Sequence, residues 1–178
     1  MKITDKETLY QGHYKLQLYT VTDGEKEFKR EVYHTGTAAS ALVYDTKKQK
    51  FIFARQYRPA MEQDLLEIVA GMLDSPDENP EDAVKREMEE EIGYAVDELQ
   101  LIHEFYPAPG AVAEKVFLFY AQVSHQVSEG GGKDSEHEDI EIVEMTPQEM
   151  LDHTFYDGKT IMAIEWAKNH VLPTLMKS

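Results

Sequence analysis

Asn79–Gly93 reads NPEDAVKREMEEEIG, a well-punctuated helix with its acidic residues concentrated on one face. Asn79 suits an N-cap, Pro80 the first helical position, and Glu81 and Asp82 the positive end of the helix dipole. Gly93 stands where a C-terminal cap belongs. Val84, Met88 and Ile92 recur every four residues and are expected to face a core, which leaves a glutamate face outward. Glu87, Glu90 and Glu91 stand at i, i+3 and i+4, so they project from one side of the helix. Like charges at that spacing repel. Such a face is either a solvated acidic surface or a cradle for divalent cations, since Mg²⁺ is commonly held by one or two carboxylates together with substrate phosphates.

Strands surround this helix. Tyr14–Thr22 and Glu27–His34 flank Asp23-Gly24, a strong hairpin signal. Ala38–Tyr44 and Phe51–Tyr57 are apolar and aromatic runs joined by the polar turn DTKKQK. Leu65–Ala70 reads as one short buried strand ending at Gly71, and a loop rich in Asp, Ser and Pro leads into the helix. Further strands are expected at Leu99–Phe105, Val116–Val123 and Ile140–Met145. Pro147–Asp152 and Thr160–Val171 read as helices, the second with Ile161, Ile164 and Trp166 inward. The sum is an α+β domain, a mixed sheet covered by helices.

Composition narrows the function. The 178 residues suit one domain with at most a small appended element, and a hydrophobic content of 42% is ample for a core. The formal charge is −16, from 34 acidic and 18 basic residues, which argues against nucleic-acid polymers and anionic membranes as partners. Small phosphorylated ligands remain open, because metal ions can supply positive charge locally. The chain has no cysteine, so disulfides, zinc–thiolate sites and thiol nucleophiles are excluded. MKITDKETLY lacks the apolar stretch of a secretory signal and no run approaches a membrane span, so the expected location is the cytoplasm.

From Gly71 the chain runs GMLDSPDENPEDAVKREMEEEIGY, which resembles the signature of the Nudix hydrolases. That signature is a glycine, a glutamate, then Arg-Glu-apolar-x-Glu-Glu-x-Gly-apolar, and Arg86–Tyr94 matches its second half throughout. Glu78 lies eight before Arg86, as the pattern requires, whereas Gly71 lies seven before Glu78 where the family has six. The extra residue bears on Glu78 more than on the helix, because surface loops tolerate insertions. LLEIVAGM, ARQYRPA, YPAPGAVAEKVFLFYA and GGGKDSEHEDIE look like the ADP-ribose and GDP-mannose pyrophosphatase branch. REVYHTGTAASALVYDTKKQK and the late DGKT look closest to GDP-mannose-type members, LLEIVAGM to ADP-ribose-type members.

The resemblance implies an α/β/α sandwich at residues 36–178, with an N-terminal β-hairpin region at 1–35 that serves dimerisation. It implies hydrolysis of the pyrophosphate bond of a nucleoside diphosphate sugar, giving a nucleoside monophosphate and a sugar phosphate, with two or more Mg²⁺ or Mn²⁺ ions. Cations neutralise the diphosphate and lower the pKa of a bound water, and one rigid helix fixes two ligands relative to each other. Glu87 and Glu91 are the expected metal ligands, with Glu90 as a further ligand or supporting partner, and the family also uses a carbonyl that falls here on Ala70. Arg86 is expected to hold a carboxylate of the motif rather than touch substrate, and Glu67 to order the strand beside the helix.

In DSEHEDIE the resemblance places a carboxylate that binds metal or acts as general base, Glu138 first and Glu136 second. The plain alternative is a solvated loop whose Gly130-Gly131-Gly132 run confers only mobility. GGGKDS is not a P-loop, because the glycine spacing is wrong and Asp134 follows Lys133. His137 is either a metal ligand or, more simply, a solvated loop histidine. By the same resemblance Arg58 contacts the diphosphate or base, Glu114 lies near the terminal sugar in the loop after Pro109-Gly110, with Gly110 in the substrate-binding set, and Arg30 reaches across a homodimer interface. Surface ion pairing is the alternative for each of the three charged residues. Two other functions stay in view: a Nudix-type sensor that binds sugar nucleotides without cleaving them, and a Nudix hydrolase of another nucleoside diphosphate derivative. A non-catalytic acidic cation-binding module is a third.

Overall fold

The computed structural model describes residues 1–132 and 139–176. Among the described residues nine strands and four α-helices follow in chain order: β1 Lys2–Gln11, β2 Lys15–Asp23, β3 Lys26–Asp45, β4 Lys50–Arg58, β5 Gln63–Glu67, β6 Val69–Met72, α1 Pro80–Glu87, β7 Glu98–Phe105, β8 Val112–Val123, β9 Glu141–Met145, α2 Pro147–Asp152, α3 Gly158–His170 and α4 Leu172–Leu175. A π-helical turn, Met88–Ile92, prolongs α1. The chain divides into two compact units, residues 1–37 with 105–116, and residues 38–104 with 117–178.

In the first unit β1, β2 and the first part of β3 form an antiparallel meander, with Gly24 at φ +63° in the turn where Asp23-Gly24 signals a hairpin. β1 lies outside the expected strands: its alternating Lys, Thr, Asp and Glu residues bury no face, and all ten are exposed. β3 also runs unbroken for 20 residues where two strands are expected. Gly36, at φ +107° between two β-branched threonines, is passed without ending the strand.

The second unit shows why the architecture is α+β with helices on both faces of a sheet. Successive strand residues point to opposite faces. Ala39, Ala41 and Val43 of β3 join Ile52, Phe119, Ala121 and Val123 in one core with Val84, Met88 and Ile92 of the acidic helix. The alternate residues face the other way and are buried too. Tyr44 meets Phe51 with ring centroids 5.0 Å apart, Phe53 meets Phe155 at 5.0 Å, and Tyr120 meets Trp166 of α3 at 5.6 Å. Burial on both faces explains why these strands read as near-continuous apolar runs.

Three details depart from expectation. Leu65–Ala70 is two strands, β5 paired with β4 and β6 paired with β3, with the buried Ile68 at the junction. Ile161 is 43% exposed, because the inward stripe of α3 runs through Thr160, Ala163, Ile164 and Ala167. Glu87 and Glu91 are buried at 9% and 4% exposure, so the glutamate face is not outward as a whole.

Candidate functional site

Arg86 organises the carboxylates. Its Nη1 lies 2.6 Å from Glu87 Oε1 and 3.2 Å from Glu90 Oε2, and its Nη2 lies 3.5 Å from Glu78 Oε1. Asp74 Oδ2 stands 3.5 Å from Nε, and Nη2 donates to the Met72 carbonyl at 3.2 Å. One guanidinium thus serves four carboxylates and the end of β6. Burial works against its charge, but Glu87, Asp74 and Glu78 outweigh that, and the Arg86 pKa stands above its ordinary value. The extra residue before Glu78 is absorbed in the loop: Glu78 still points at Arg86, and its Oε2 accepts the Asp74 N–H at 2.5 Å.

Gly71 explains how Glu87 comes to be buried. A Cβ at Gly71 would lie 1.9 Å from Glu87 Cδ and 2.2 Å from Oε1, so the glutamate occupies the space that any other residue would fill. Ala70 precedes Gly71 on β6 and is half-buried. Ala70 thus lies on β6, and Glu87, Glu90 and Glu91 on the acidic helix that packs against that strand in the second unit. All these donors are oxygens, the set that hard divalent cations select. Among the described residues no three His, Asp or Glu side chains are grouped so as to hold a metal ion; Glu87 and Glu90 are turned onto Arg86.

A second polar cluster lies within the same unit. Arg58 Nε and Nη2 donate to Glu67 Oε1 and Oε2 at 2.7 and 3.0 Å, a bidentate pair on a carboxylate only 4% exposed. The Glu67 hydrogen bonds hold the Arg58 pKa up against burial, with the charges of Glu67, Glu91 and Asp157 adding to the effect. Glu67 thus anchors the arginine as well as its strand. Lys159 Nζ bridges Asp157 Oδ1 at 2.8 Å and Glu67 Oε2 at 3.6 Å, while the Thr160 hydroxyl donates to Asp157 at 2.7 Å and accepts from the Ile68 N–H at 2.9 Å. The sequence motif DGKT gives Asp157, Lys159 and Thr160 no task by itself. Its signal is an Asp N-cap three residues before a Thr at the head of a helix.

Burial opposes the Asp157 charge, but Lys159 and the Thr160 N–H and hydroxyl outweigh it and lower its pKa. A lowered folded pKa contributes stability that is present above the unfolded value, about 3.9, and lost as pH falls through the folded one. Asn caps a helix as well as Asp does, so Asp157→Asn isolates the charge. The wild type should melt higher than this variant at neutral pH, and the gap should close below about pH 4. Melting curves from pH 7 to pH 2 check it.

The other expected residues lie in the first unit or outside the described residues. Arg30, exposed on β3, lies with its guanidinium 4.6 Å from the Phe28 ring centre and donates to the Lys29 carbonyl. Gly110 lines a cavity of about 390 Å³ with Tyr19, Val32, Tyr106 and Val112, and Glu114 is half-buried on β8. Glu136, His137 and Glu138 lie outside the described residues. The glycine run before them bears on the plain alternative: Gly131 and Gly132 are hydrogen-bonded to the end of the acidic helix, so mobility is not all that the glycines confer.

A sheet covered on both faces, with glutamates of one helix set against a strand-end glycine and an arginine, defines a class of oxygen-donor sites suited to diphosphate chemistry. The family within that class follows from comparison. A NUDIX domain model matches residues 34–164, and the chain belongs to that family. Proteins described as GDP-mannose pyrophosphatase from Escherichia coli and Shigella flexneri are each 35% identical to it over 158 residues, covering 83% of this chain and 82% of theirs. A solved structure described as "Crystal structure of ADP compounds hydrolase" matches with a TM-score of 0.78 at 20% identity, over 96% of this chain and 95% of that one, a likeness of fold.

Proposed function

We propose that this chain hydrolyses the pyrophosphate bond of a nucleoside diphosphate sugar, with GDP-mannose and ADP-ribose as the substrates to try first. The observation that carries the reading is the gathering of Glu87, Glu90 and Glu78 on Arg86 beside buried Glu91 and Gly71, in a chain 35% identical to GDP-mannose pyrophosphatases. Glu87 and Glu91, with Glu90 and the Ala70 carbonyl, would hold Mg²⁺ or Mn²⁺, two or more ions in all. Divalent cations bound there supply neutralising charge for the diphosphate and lower the pKa of an attacking water.

The chain's own residues hold the geometry. Arg86 keeps Glu87 and Glu90 on one side of the helix, and Gly71 leaves room for Glu87. Arg58, its Nε and Nη2 taken by Glu67, is oriented to present its remaining Nη1 to a substrate phosphate or base. Glu138, with Glu136 as second choice, accepts the proton of the attacking water in this reading, and Gly110, Glu114 and Arg30 belong to the substrate-binding set.

Residues 1–35 serve as a dimerisation region in the same reading, ahead of a hydrolase domain at 36–178. Supporting this, β1 pairs with β2 and with no other strand among the described residues, and Ile3, Leu9 and Tyr10 on it are 51%, 46% and 63% exposed. No helix among the described residues is long and apolar enough to cross a membrane, and a cytoplasmic location completes the reading.

The test is product release: GMP from GDP-mannose or AMP from ADP-ribose with Mg²⁺ present. Chelation by EDTA should abolish turnover and added Mg²⁺ should restore it. Full turnover in EDTA would remove the metal from the account. Binding of sugar nucleotides without products, by a folded and metal-replete sample, would make the chain a sensor instead.

A further inference from the structure

A helix leaves its last carbonyls without partners inside the helix. Here they belong to the glutamates of the π-turn, and the segment from Val127 to Gly132 meets them. The Gly131 N–H donates to the Glu91 carbonyl at 2.8 Å and the Gly132 N–H to the Glu90 carbonyl at 3.1 Å. The Ser128 hydroxyl donates to the Glu89 carbonyl at 3.2 Å, while the Val127 and Ser128 N–H groups reach the Gly93 carbonyl at 2.7 and 3.2 Å.

The fit is backbone against backbone. A Cβ at Gly130, where φ is +67°, would lie 2.6 Å from the Ile92 carbonyl carbon and 2.8 Å from both the Glu91 carbonyl oxygen and the Gly93 nitrogen. A Cβ at Gly93, at φ +75°, would lie 2.2 Å from the Ser128 carbonyl oxygen. Neither partner can move aside by changing a rotamer.

We propose that the Val127–Gly132 strap is the positioning element for Glu90 and Glu91, and that it sets the affinity of the helix for divalent cations. The proposal rests on the reading that these glutamates, with Glu87, hold the metal. π-Helical turns are rare and short. This one lies at the end of its helix, where backbone groups most need partners from outside. Glu87 is held by Arg86 and the Gly71 space in the α-helical part, and Arg86 also reaches the Glu90 carboxylate. Loss of the strap therefore loosens the backbone that carries Glu90 and Glu91 and leaves the hold on Glu87 in place.

The test is Gly130→Ala, whose methyl group would collide with the helix end. Gly24→Ala is the control: it carries a similar left-handed φ of +63°, but its Cβ would meet nothing within 4 Å. Mn²⁺ affinity, read by electron paramagnetic resonance, should fall about 10- to 100-fold in Gly130→Ala, the range seen when supporting partners of metal ligands are lost. Gly24→Ala should bind Mn²⁺ as the wild type does. The kcat of Gly130→Ala should recover at high metal concentration. Amide hydrogen exchange of the wild type gives a readout that needs no variant to fold: Mg²⁺ should slow exchange at the Gly131 and Gly132 amides, by the reciprocity of linked equilibria. Unchanged Mn²⁺ affinity in folded Gly130→Ala, or unchanged exchange at both amides, overturns the strap proposal while leaving the metal reading intact. A wild-type chain that binds no Mn²⁺ overturns the metal reading and the proposal together.

Discussion

Glu91→Gln is expected to lower kcat for sugar-nucleotide hydrolysis by about 10²- to 10³-fold at saturating Mg²⁺, which corresponds to several kcal/mol of lost transition-state stabilisation at about 1.4 kcal/mol per tenfold. The substitution keeps the shape of a side chain that is only 4% exposed, but removes the charge that a cation would bind. Melting temperature should change little, because the apolar neighbours Met88 and Ile92 are untouched. The same charge also helps to hold the Arg58 guanidinium protonated, so the variant weakens the field at the arginine as well. Steady-state kinetics over a range of Mg²⁺ concentrations, with a melting curve for each sample, check the prediction. A variant with full rate would remove Glu91 from the ligand set.

Gly71→Ala should separate folding from function as cleanly. Its methyl carbon would sit 1.9 Å from Glu87 Cδ, so one of the two must move. The atoms it meets are the far end of a flexible side chain, and φ at Gly71 lies outside the left-handed range, so the backbone need not change. The protein should fold, with Glu87 expelled from the edge of β6 and its 2.6 Å contact to Arg86 broken. We expect Mn²⁺ affinity and kcat each to fall by about tenfold or more, with a stability loss within about 1 kcal/mol, as for other changes that leave the core intact. Isothermal titration with Mn²⁺ and thermal melts measure the two separately. Wild-type affinity in this variant would show that Glu87 has no part in metal binding.

Much of this was legible in the sequence, and the reasons can be assigned. Val84, Met88 and Ile92 announced the buried side of the helix by spacing alone, and all three are fully buried. α2 begins and ends where expected, and the structure opens it with a capping box between Thr146 and Glu149. β4, β8 and the second part of β3 could be found because both of their faces are apolar. β1 could not, since it buries neither face and so carries no hydrophobic period. The split at Ile68 was hidden because two strands that pair with different partners still read as one apolar run.

The site divides in the same way. Short-range relations, such as Arg86 beside Glu87 and Glu90 at i+1 and i+4, follow from helical geometry. Relations that depend on long-range packing did not show: Gly71 under Glu87, Lys159 bridging to Glu67, and Gly130 wedged against Ile92. The triple glycine is instructive, because glycine serves close backbone approach as readily as it serves flexibility. Only the neighbours distinguish the two uses.

The most direct test of the central claim is product analysis with one substrate and one metal. The purified chain, incubated with GDP-mannose and Mg²⁺, is followed by phosphorus NMR and by separation of nucleotides. GMP and mannose 1-phosphate are expected in equal amounts, with no product in EDTA and the same bond cleaved in ADP-ribose if that substrate is accepted. Intact sugar nucleotides after long incubation with the folded, metal-replete protein, or cleavage at any bond other than the pyrophosphate, would contradict the claim.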